Sequence, residues 1–174
     1  MNQQLILVNE KDEEIGYGDK LPVHQNAQLH RAFSIFVINN HHQLLLQKRA
    51  YHKYHSGGLW ANTCCSHPIR GEKQEDTIHR RLKEEMGFDC ELNHMFHFIY
   101  RVELDKGLTE YEYDHVYLGK YEGNPDPDPE EVCKWKWMEL SQVKEDIKNN
   151  PQNYTYWIRK AFTQFYFMYF NDSI

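Results

Sequence analysis

The segment at residues 73–86 constrains the fold most, because it is the clearest helix in a chain whose other patterns are mostly strand-like. Ile78 and Leu82 lie one turn apart and predict an apolar stripe along one side of this helix. Gly87 follows at once, and a glycine directly after the last helical residue is the usual C-terminal cap. We therefore predict an amphipathic helix that packs against a sheet.

The rest of the chain consists of strand-like runs separated by turn residues, with two more helical segments near its end. The predicted strands lie at residues 4–9, 15–18, 29–38, 44–49, 60–66, 96–104, 111–121 and 132–139. The predicted helices lie at residues 141–149, with Ser141 as N-cap, and 154–170. This mixture indicates the α/β (α+β) class, with a mixed β-sheet sandwiched between helices. A length of 174 residues fits a single domain over residues 1–174.

The composition limits the binding partners and the cellular compartment that we expect for this protein. A net charge of −6 argues against a nucleic-acid binder, because phosphate backbones need clustered Lys and Arg. No apolar run reaches bilayer length and the first residues do not resemble a signal peptide, so we expect no membrane association. Cys64 and Cys65 are adjacent and there is no CxxC motif, so we expect reduced thiols and a cytoplasmic protein.

Glu85 falls on the apolar stripe of the predicted helix, three residues after Leu82. A carboxylate on a buried face needs a partner. One interpretation is an ion pair with Arg81, one turn earlier on the same face. The other is a bound metal ion, and helix geometry alone leaves both open.

Two strand segments carry further reactive groups. Cys65 and His67 lie two residues apart, so a strand would place both side chains on one face, although a buried thiol and a turn histidine would explain them equally well. Glu110 and Glu112 also share a face, and Val116 continues it with an apolar residue. If that face is buried rather than exposed, its two carboxylates need a cation.

Two more histidines, His24 and His30, flank a segment before the longest N-terminal strand. Either one alone is typical of a surface or satisfied core residue. Together with His67, Glu110 and Glu112 they make three imidazoles and two carboxylates. This donor set suits Zn²⁺, Mn²⁺ or Mg²⁺.

The helix and its flanks resemble the signature box of the Nudix superfamily, Gly-x5-Glu-x7-Arg-Glu-U-x-Glu-Glu-x-Gly-U, where U is apolar. The run RRLKEEMGF at residues 80–88 sets the alignment and places Glu72 at the first Glu of the box. The chain departs from the box at Ser66, which replaces the first Gly, and at Arg81, which replaces a Glu. The lost acidic residue weighs against the metal cluster that hydrolyses diphosphates in that superfamily.

The string NTCCSHP at residues 62–68, the Glu-x-Glu strand, the paired histidines and the altered box together resemble the type I isopentenyl-diphosphate delta-isomerases, a branch of the Nudix fold. The resemblance covers about residues 20–157. It implies interconversion of isopentenyl diphosphate and dimethylallyl diphosphate by antarafacial protonation and deprotonation. The partner would be this small isoprenoid diphosphate, and the protein a monomer or weak dimer.

The resemblance also implies a role for each matching residue. The catalytic residues would be Cys65 and Glu112, with Tyr100 assisting. One Mn²⁺ or Zn²⁺ (or Mg²⁺) would be held by His24, His30, His67, Glu110 and Glu112. Glu85 would bind a Mg²⁺ that bridges to the diphosphate. The substrate-binding residues would be Lys20, Arg49, Lys53, Arg81 and, near the hydrocarbon end, Trp157.

The implied reaction protonates an unactivated alkene, so it needs an acid and a base on opposite faces and a site that excludes water. An aromatic wall would stabilise the carbocation-like state by about 0.5–2 kcal/mol, and Trp60 and Trp157 are candidates. Two alternatives belong to other classes. One is a Nudix hydrolase of a nucleoside diphosphate-type substrate, and the other is a non-catalytic metal- or ligand-binding module.

Overall fold

The computed structural model describes residues 3–171, which form a mixed sheet with helices on both faces. The strands are β1 (Gln4–Val8), β2 (Glu14–Asp19), β3 (His30–Ile38), β4 (Gln43–Arg49), β5 (Trp60–Ala61), β6 (Cys64–Ser66), β7 (Leu92–Glu103), β8 (Thr109–Lys120) and β9 (Val132–Glu139). The helices are α1 (Lys20–Gln25), α2 (Gln74–Met86), α3 (Leu140–Asn149) and α4 (Tyr156–Asn171). Short 3₁₀ turns lie at Asp105–Gly107 and Pro151–Asn153.

Strand β3 is the centre of the sheet. It pairs with β1, β4 and β6 in antiparallel fashion and with β8 in parallel. Strand β8 continues to β7, and β4 continues to β5 and β9. Residues near the start of β3 therefore have neighbours from several strands on either side, and this is where the candidate site lies.

The side chains of β3 alternate between two apolar layers. Phe36 and Ile38 pack into a buried cluster with α3 and α4. Phe33, Ile35 and Val37 pack into a second buried cluster with α2. Each fully buried side chain of this size contributes roughly 1.5–3 kcal/mol. The predicted sandwich of a mixed sheet between helices is confirmed.

The predicted strand at residues 60–66 is wrong as a single element, because it is two strands with different partners. β5 pairs with β4, whereas β6 pairs with β3. The residues between them, Asn62 and Thr63, are fully buried and bond to backbone carbonyls. Asn62 Nδ2 donates to the carbonyl of Ile35 at 3.1 Å, and Thr63 Oγ1 donates to that of Leu45 at 2.7 Å. These hydrogen bonds fix the backbone at the point where the chain passes from pairing with β4 to pairing with β3.

The helices also differ from the predictions, and α4 starts at Tyr156 rather than at residue 154. Helix α3 begins at Leu140, so its N-cap is Glu139 and not Ser141. Helix α1 is absent from the predicted elements, because six residues span too few turns for an apolar period to show. No helix within residues 3–171 combines the length and apolar character needed to cross a bilayer.

Helix α2 ends as predicted, at a glycine in the left-handed region. Gly87 has a φ of 77°, and its N–H bonds to the carbonyl of Lys83. A Cβ atom at Gly87 would lie 2.2 Å from the backbone oxygen of Asp126. The position therefore requires glycine both for its backbone angle and for the close approach of the chain that follows β8.

We predict that Gly87→Ala destabilises the protein by at least about 3 kcal/mol, because left-handed strain of about 1–2 kcal/mol adds to a backbone clash. Gly107→Ala is the matched control, since Gly107 has a φ of 71° but an added Cβ would meet nothing within 4 Å. The control should lose only about 1–2 kcal/mol in urea unfolding. Equal losses in the two variants would contradict the proposed close approach.

Candidate active site

One cavity collects most of the predicted site residues. Those that line it are Lys20, Arg49, Lys53, Cys65, His67, Arg81, Glu85, Tyr100, Glu110, Glu112 and Trp157. The other two, His24 and His30, are fully buried behind it and lie 3.1 Å and 3.7 Å from a Glu110 oxygen. Residues far apart in sequence thus meet at one place.

Strand register places Glu112 at the centre of this site. In the sheet Glu112 lies beside His30 of β3 on one side and Tyr100 of β7 on the other. The Tyr100 hydroxyl donates to Glu112 Oε2 at 2.5 Å, and His67 Nε2 lies 2.8 Å from Oε1. The predicted burial of the Glu-x-Glu face is confirmed, since Glu110 and Glu112 are 2% and 7% exposed.

The two buried histidines have their tautomers fixed by the backbone. His24 Nδ1 lies 2.6 Å from the Lys20 carbonyl, and His30 Nδ1 lies 2.9 Å from that of Gln28. A carbonyl only accepts, so in each neutral ring Nδ1 carries the hydrogen and Nε2 presents a lone pair. His30 Nε2 has no hydrogen-bond partner among the described residues. His24 Nε2 faces both oxygens of Glu110 at 3.1 Å.

This arrangement fits a divalent cation. Ligand atoms of His24, His30, His67 and Glu110 all lie within 4.8 Å of one another. Imidazole lone pairs and carboxylate oxygens that face each other in a buried site lack the positive charge that would hold them together. Glu112, the fifth predicted ligand, borders the group through His67 at 2.8 Å and His30 at 3.7 Å. Mixed nitrogen and oxygen donors suit Zn²⁺, Mn²⁺ or Mg²⁺.

The carboxylates of this cluster are ionised in the neutral pH range. Burial would raise the pKa of Glu110, but the neighbouring His24 and His55 outweigh it and hold that pKa well below its usual value. Burial and the charge of Glu110 would raise the pKa of Glu112, yet His30 and His67 keep it lowered. Burial lowers the pKa of His67 to about 4. Charged carboxylates beside a neutral imidazole are the protonation state that binds a cation.

Cys65 keeps its proton near neutral pH. Burial is the main cause that raises the pKa of its thiol to about 12, with Arg49 opposing and Glu85 and Glu112 adding to the rise. Burial and the charge of Glu112 likewise raise the pKa of Tyr100 well above its usual value. The cavity therefore holds two protonated donors beside the ionised carboxylate of Glu112, a combination suited to proton transfer.

The four cationic side chains predicted to bind the diphosphate line the same cavity: Lys20, Arg49, Lys53 and Arg81. Burial and the nearby charge of Lys53 lower the pKa of Lys20, which shows how crowded these positive charges are. Glu131, which the sequence patterns did not single out, pairs with Lys53 and lies 3.3 Å from Arg81 Nη2. The predicted pair of Arg81 and Glu85 is present at 2.6 Å.

The other carboxylates of the signature box are occupied by arginines. Glu72 accepts from Arg80 at 2.8 Å, and Glu84 accepts from Arg80 at 3.0 Å and from Arg81 at 2.7 Å. Glu85 is the box carboxylate that lines the cavity. This pairing leaves less free carboxylate for a hydrolytic metal cluster, in line with the replacement of a Glu by Arg81.

Of the two tryptophans proposed as an aromatic wall, one is in place. Trp157 lines the cavity, with the Arg49 guanidinium 5.2 Å from its ring centre. Trp60 is not among the lining residues and instead packs against the core beneath α4, with Lys136 Nζ 4.3 Å from its ring centre. The prediction that Trp60 forms part of the wall is therefore wrong, because its ring packs against the core instead.

Two residues of the loop between β4 and β5 belong to the site although no sequence pattern indicates them. His55 Nε2 lies 2.8 Å from Glu110 Oε1. The Tyr54 hydroxyl lies 3.3 Å from His24 Nε2, and Lys20 Nζ lies 4.7 Å from the Tyr54 ring centre. A polar loop has no periodicity that would reveal buried side chains, so only adjacency to Lys53 could have drawn attention to them.

The comparisons with known proteins agree with this geometry at the level of fold. The Nudix domain family model matches residues 28–160. A crystal structure of DR0079 from Deinococcus radiodurans is similar with a TM-score of 0.78 and 18% identity, covering 93% of this chain and 98% of that one. The MutT protein of Methanosarcina mazei is similar with a TM-score of 0.66 and 14% identity, covering 79% and 92%. The chain is a Nudix-domain protein.

Curated relatives define the family more narrowly. Isopentenyl-diphosphate Delta-isomerase 2 of Photorhabdus laumondii is 50% identical over 160 residues, which covers 92% of this chain and 90% of the relative. Isopentenyl-diphosphate Delta-isomerase 2 of Aromatoleum aromaticum is 49% identical over 158 residues, covering 91% and 84%. The chain belongs to the isopentenyl-diphosphate Delta-isomerase family.

We predict a stability change with pH that depends on His67. The unfolded ring takes up a proton below pH about 6.5, while the folded ring stays neutral down to about 4. The metal-free protein therefore loses stability as the pH falls through this window, with His67 accounting for about 2–3 kcal/mol. Urea unfolding at several pH values should show a shallower loss in His67→Gln. The exposed His41→Gln should keep the wild-type slope, and parallel profiles for all three proteins would contradict the assignment.

Proposed function

We propose that this chain is the isomerase its family indicates, and that it interconverts isopentenyl diphosphate and dimethylallyl diphosphate in the cavity described above. The observation that carries this proposal is the pairing of a protonated thiol with an ionised carboxylate in the wall of one cavity. Cys65 and Glu112 come from different strands and both line that cavity. Such a pair can deliver a proton at one carbon and remove one at another.

In the proposed mechanism Cys65 and Glu112 lie on opposite faces of the double bond. A proton added to the terminal carbon gives a tertiary carbocation-like state, and loss of a proton from the carbon on the other side of the cation moves the double bond. Tyr100, bonded to Glu112 at 2.5 Å, holds the orientation of this carboxylate and assists proton transfer. The carbon–oxygen and phosphorus–oxygen bonds of the substrate remain intact.

The cation site assigned to this function uses His24, His30, His67, Glu110 and Glu112. One Mn²⁺, Zn²⁺ or Mg²⁺ held there would supply the charge that fixes these carboxylates and tunes the proton affinity of Glu112. Glu85 is the residue that would hold a Mg²⁺ shared with the diphosphate, and its present partner Arg81 is itself a proposed diphosphate ligand.

The diphosphate would be anchored by Lys20, Arg49, Lys53 and Arg81. The buried Arg49 Nε and Trp157 Nε1 have no hydrogen-bond partner among residues 3–171, although both side chains line the cavity. Unsatisfied buried donors favour a ligand that accepts hydrogen bonds. Binding energy from this remote group would hold the small hydrocarbon beside Cys65 and Glu112.

The direct test is incubation of the metal-loaded protein with isopentenyl diphosphate in deuterated water, followed by proton NMR. We expect the double bond to migrate, deuterium to enter the carbon chain and no phosphate to be released. Parallel samples with nucleoside diphosphates should remain unchanged. Hydrolysis of those compounds without isomerisation would favour the Nudix hydrolase alternative, and metal uptake without any turnover would favour a binding module.

We predict that Cys65→Ala and Glu112→Gln each lower kcat by at least about 10³-fold, because each removes a group that transfers a proton. Both should keep the wild-type fold by circular dichroism. Cys90→Ala is the control, since Cys90 packs beside Gly119 and does not line the cavity. Activity near that of wild type in either active-site variant would remove that residue from the mechanism.

A further inference from the structure

His55 is a buried imidazole for which the proposed chemistry has no role. It lies in the loop between β4 and β5 and is 3% exposed. Its carbonyl accepts from Arg49 Nη2 at 3.3 Å, and its ring meets the edge of Trp157 with centres 6.0 Å apart. Its Nε2 atom lies 2.8 Å from Glu110 Oε1. Packing on several sides thus fixes this ring against a proposed metal ligand.

The tautomer of His55 differs from that of its neighbours. His24 and His30 use Nδ1–H on backbone carbonyls, so their Nε2 atoms present lone pairs. His55 Nδ1 instead lies 3.1 Å from the Ser56 hydroxyl, which can donate to it. Because the ionised Glu110 carboxylate only accepts, the hydrogen of His55 must lie on Nε2 and point at Glu110.

A bound cation would affect the His24 and His55 contacts of Glu110 in different ways. The Nε2 lone pair of His24 and the Glu110 oxygens are all acceptors, so a cation between them would take over this contact. The bond from His55 to Oε1 is formed by a true donor and can persist. Because the His55 bond occupies Oε1, the other oxygen, Oε2, remains to face the cluster of metal-binding histidines. Oε2 lies 3.7 Å from His30 Nε2.

We propose that His55 is a positioning residue that holds the Glu110 carboxylate for metal binding through its Nε2–H···Oε1 hydrogen bond. This inference rests on the metal site of the proposed function. Outer hydrogen bonds of this kind typically change metal affinity by about 10–100-fold. The same ring also contacts Trp157, so it links the metal ligand to the wall of the cavity.

The test compares His55→Phe, which keeps a ring but loses the donor, with His55→Gln, which keeps an N–H donor. His52→Gln is the matched control from the same loop, because its side chain is 60% exposed and pairs with Glu130. Mn²⁺ affinity of each metal-free protein is measured by competition with a chromophoric chelator. We expect about 10–100-fold weaker binding in His55→Phe, substantial recovery in His55→Gln and no change in the control.

A second measurement needs no variant. Imidazole ¹⁵N NMR of the wild-type protein should show the Nε2–H tautomer for His55, both metal-free and loaded with Zn²⁺, and the Nδ1–H tautomer for His24 and His30. An Nδ1–H tautomer at His55, or wild-type affinity in a folded His55→Phe variant, would overturn the role of His55 alone. Failure of the wild-type protein to bind any cation would remove the metal site itself, whether or not isomerisation is observed.

Discussion

The rest of the site depends on how two adjacent buried carboxylates are held. Glu110 and Glu112 share one face of β8, and both remain ionised although burial opposes it. The effective cost of burying a charge is several kcal/mol per ion unless it is paired. Imidazoles from α1, the start of β3 and the residue that follows β6 surround them, with at least two ring lone pairs turned inward by backbone carbonyls. A divalent cation would satisfy both sets of groups at once.

The sheet explains why these groups meet. Because β3 runs parallel to β8 in register, His30 falls beside Glu112, and the next strand places Tyr100 on its other side. The antiparallel pairing of β6 with the other part of β3 sets Cys65 opposite Ser34. The groups proposed to transfer protons thus lie on strands, while the cationic side chains come from α1, α2, the end of β4 and the loop that follows it. This division suits a reaction in which the diphosphate is gripped but not broken, and it is consistent with arginines occupying the outer carboxylates of the signature box.

The alternation of side chains along strands and their spacing along helices account for most of the structural features that the sequence predicted. The burial of Glu110 and Glu112 followed from the apolar Val116 on the same face, and the inward position of Glu85 followed from the stripe of α2. Other features depend on contacts that have no local period. The switch of partners at Asn62 rests on bonds to distant carbonyls, and the burial of His55 rests on packing of a loop. The resemblance supplied the roles of individual residues, and these roles stay predictions.

The most direct test of the cation site is a crystal structure of the protein loaded with Mn²⁺, with diffraction recorded at the manganese absorption edge. We expect one anomalous peak about 2.0–2.3 Å from Nε2 of His24, His30 and His67, with an oxygen of Glu110 and of Glu112 completing the site. A structure in which this position stays empty at saturating Mn²⁺, with His24 still in direct contact with Glu110, would contradict the proposal that a metal ion organises the site.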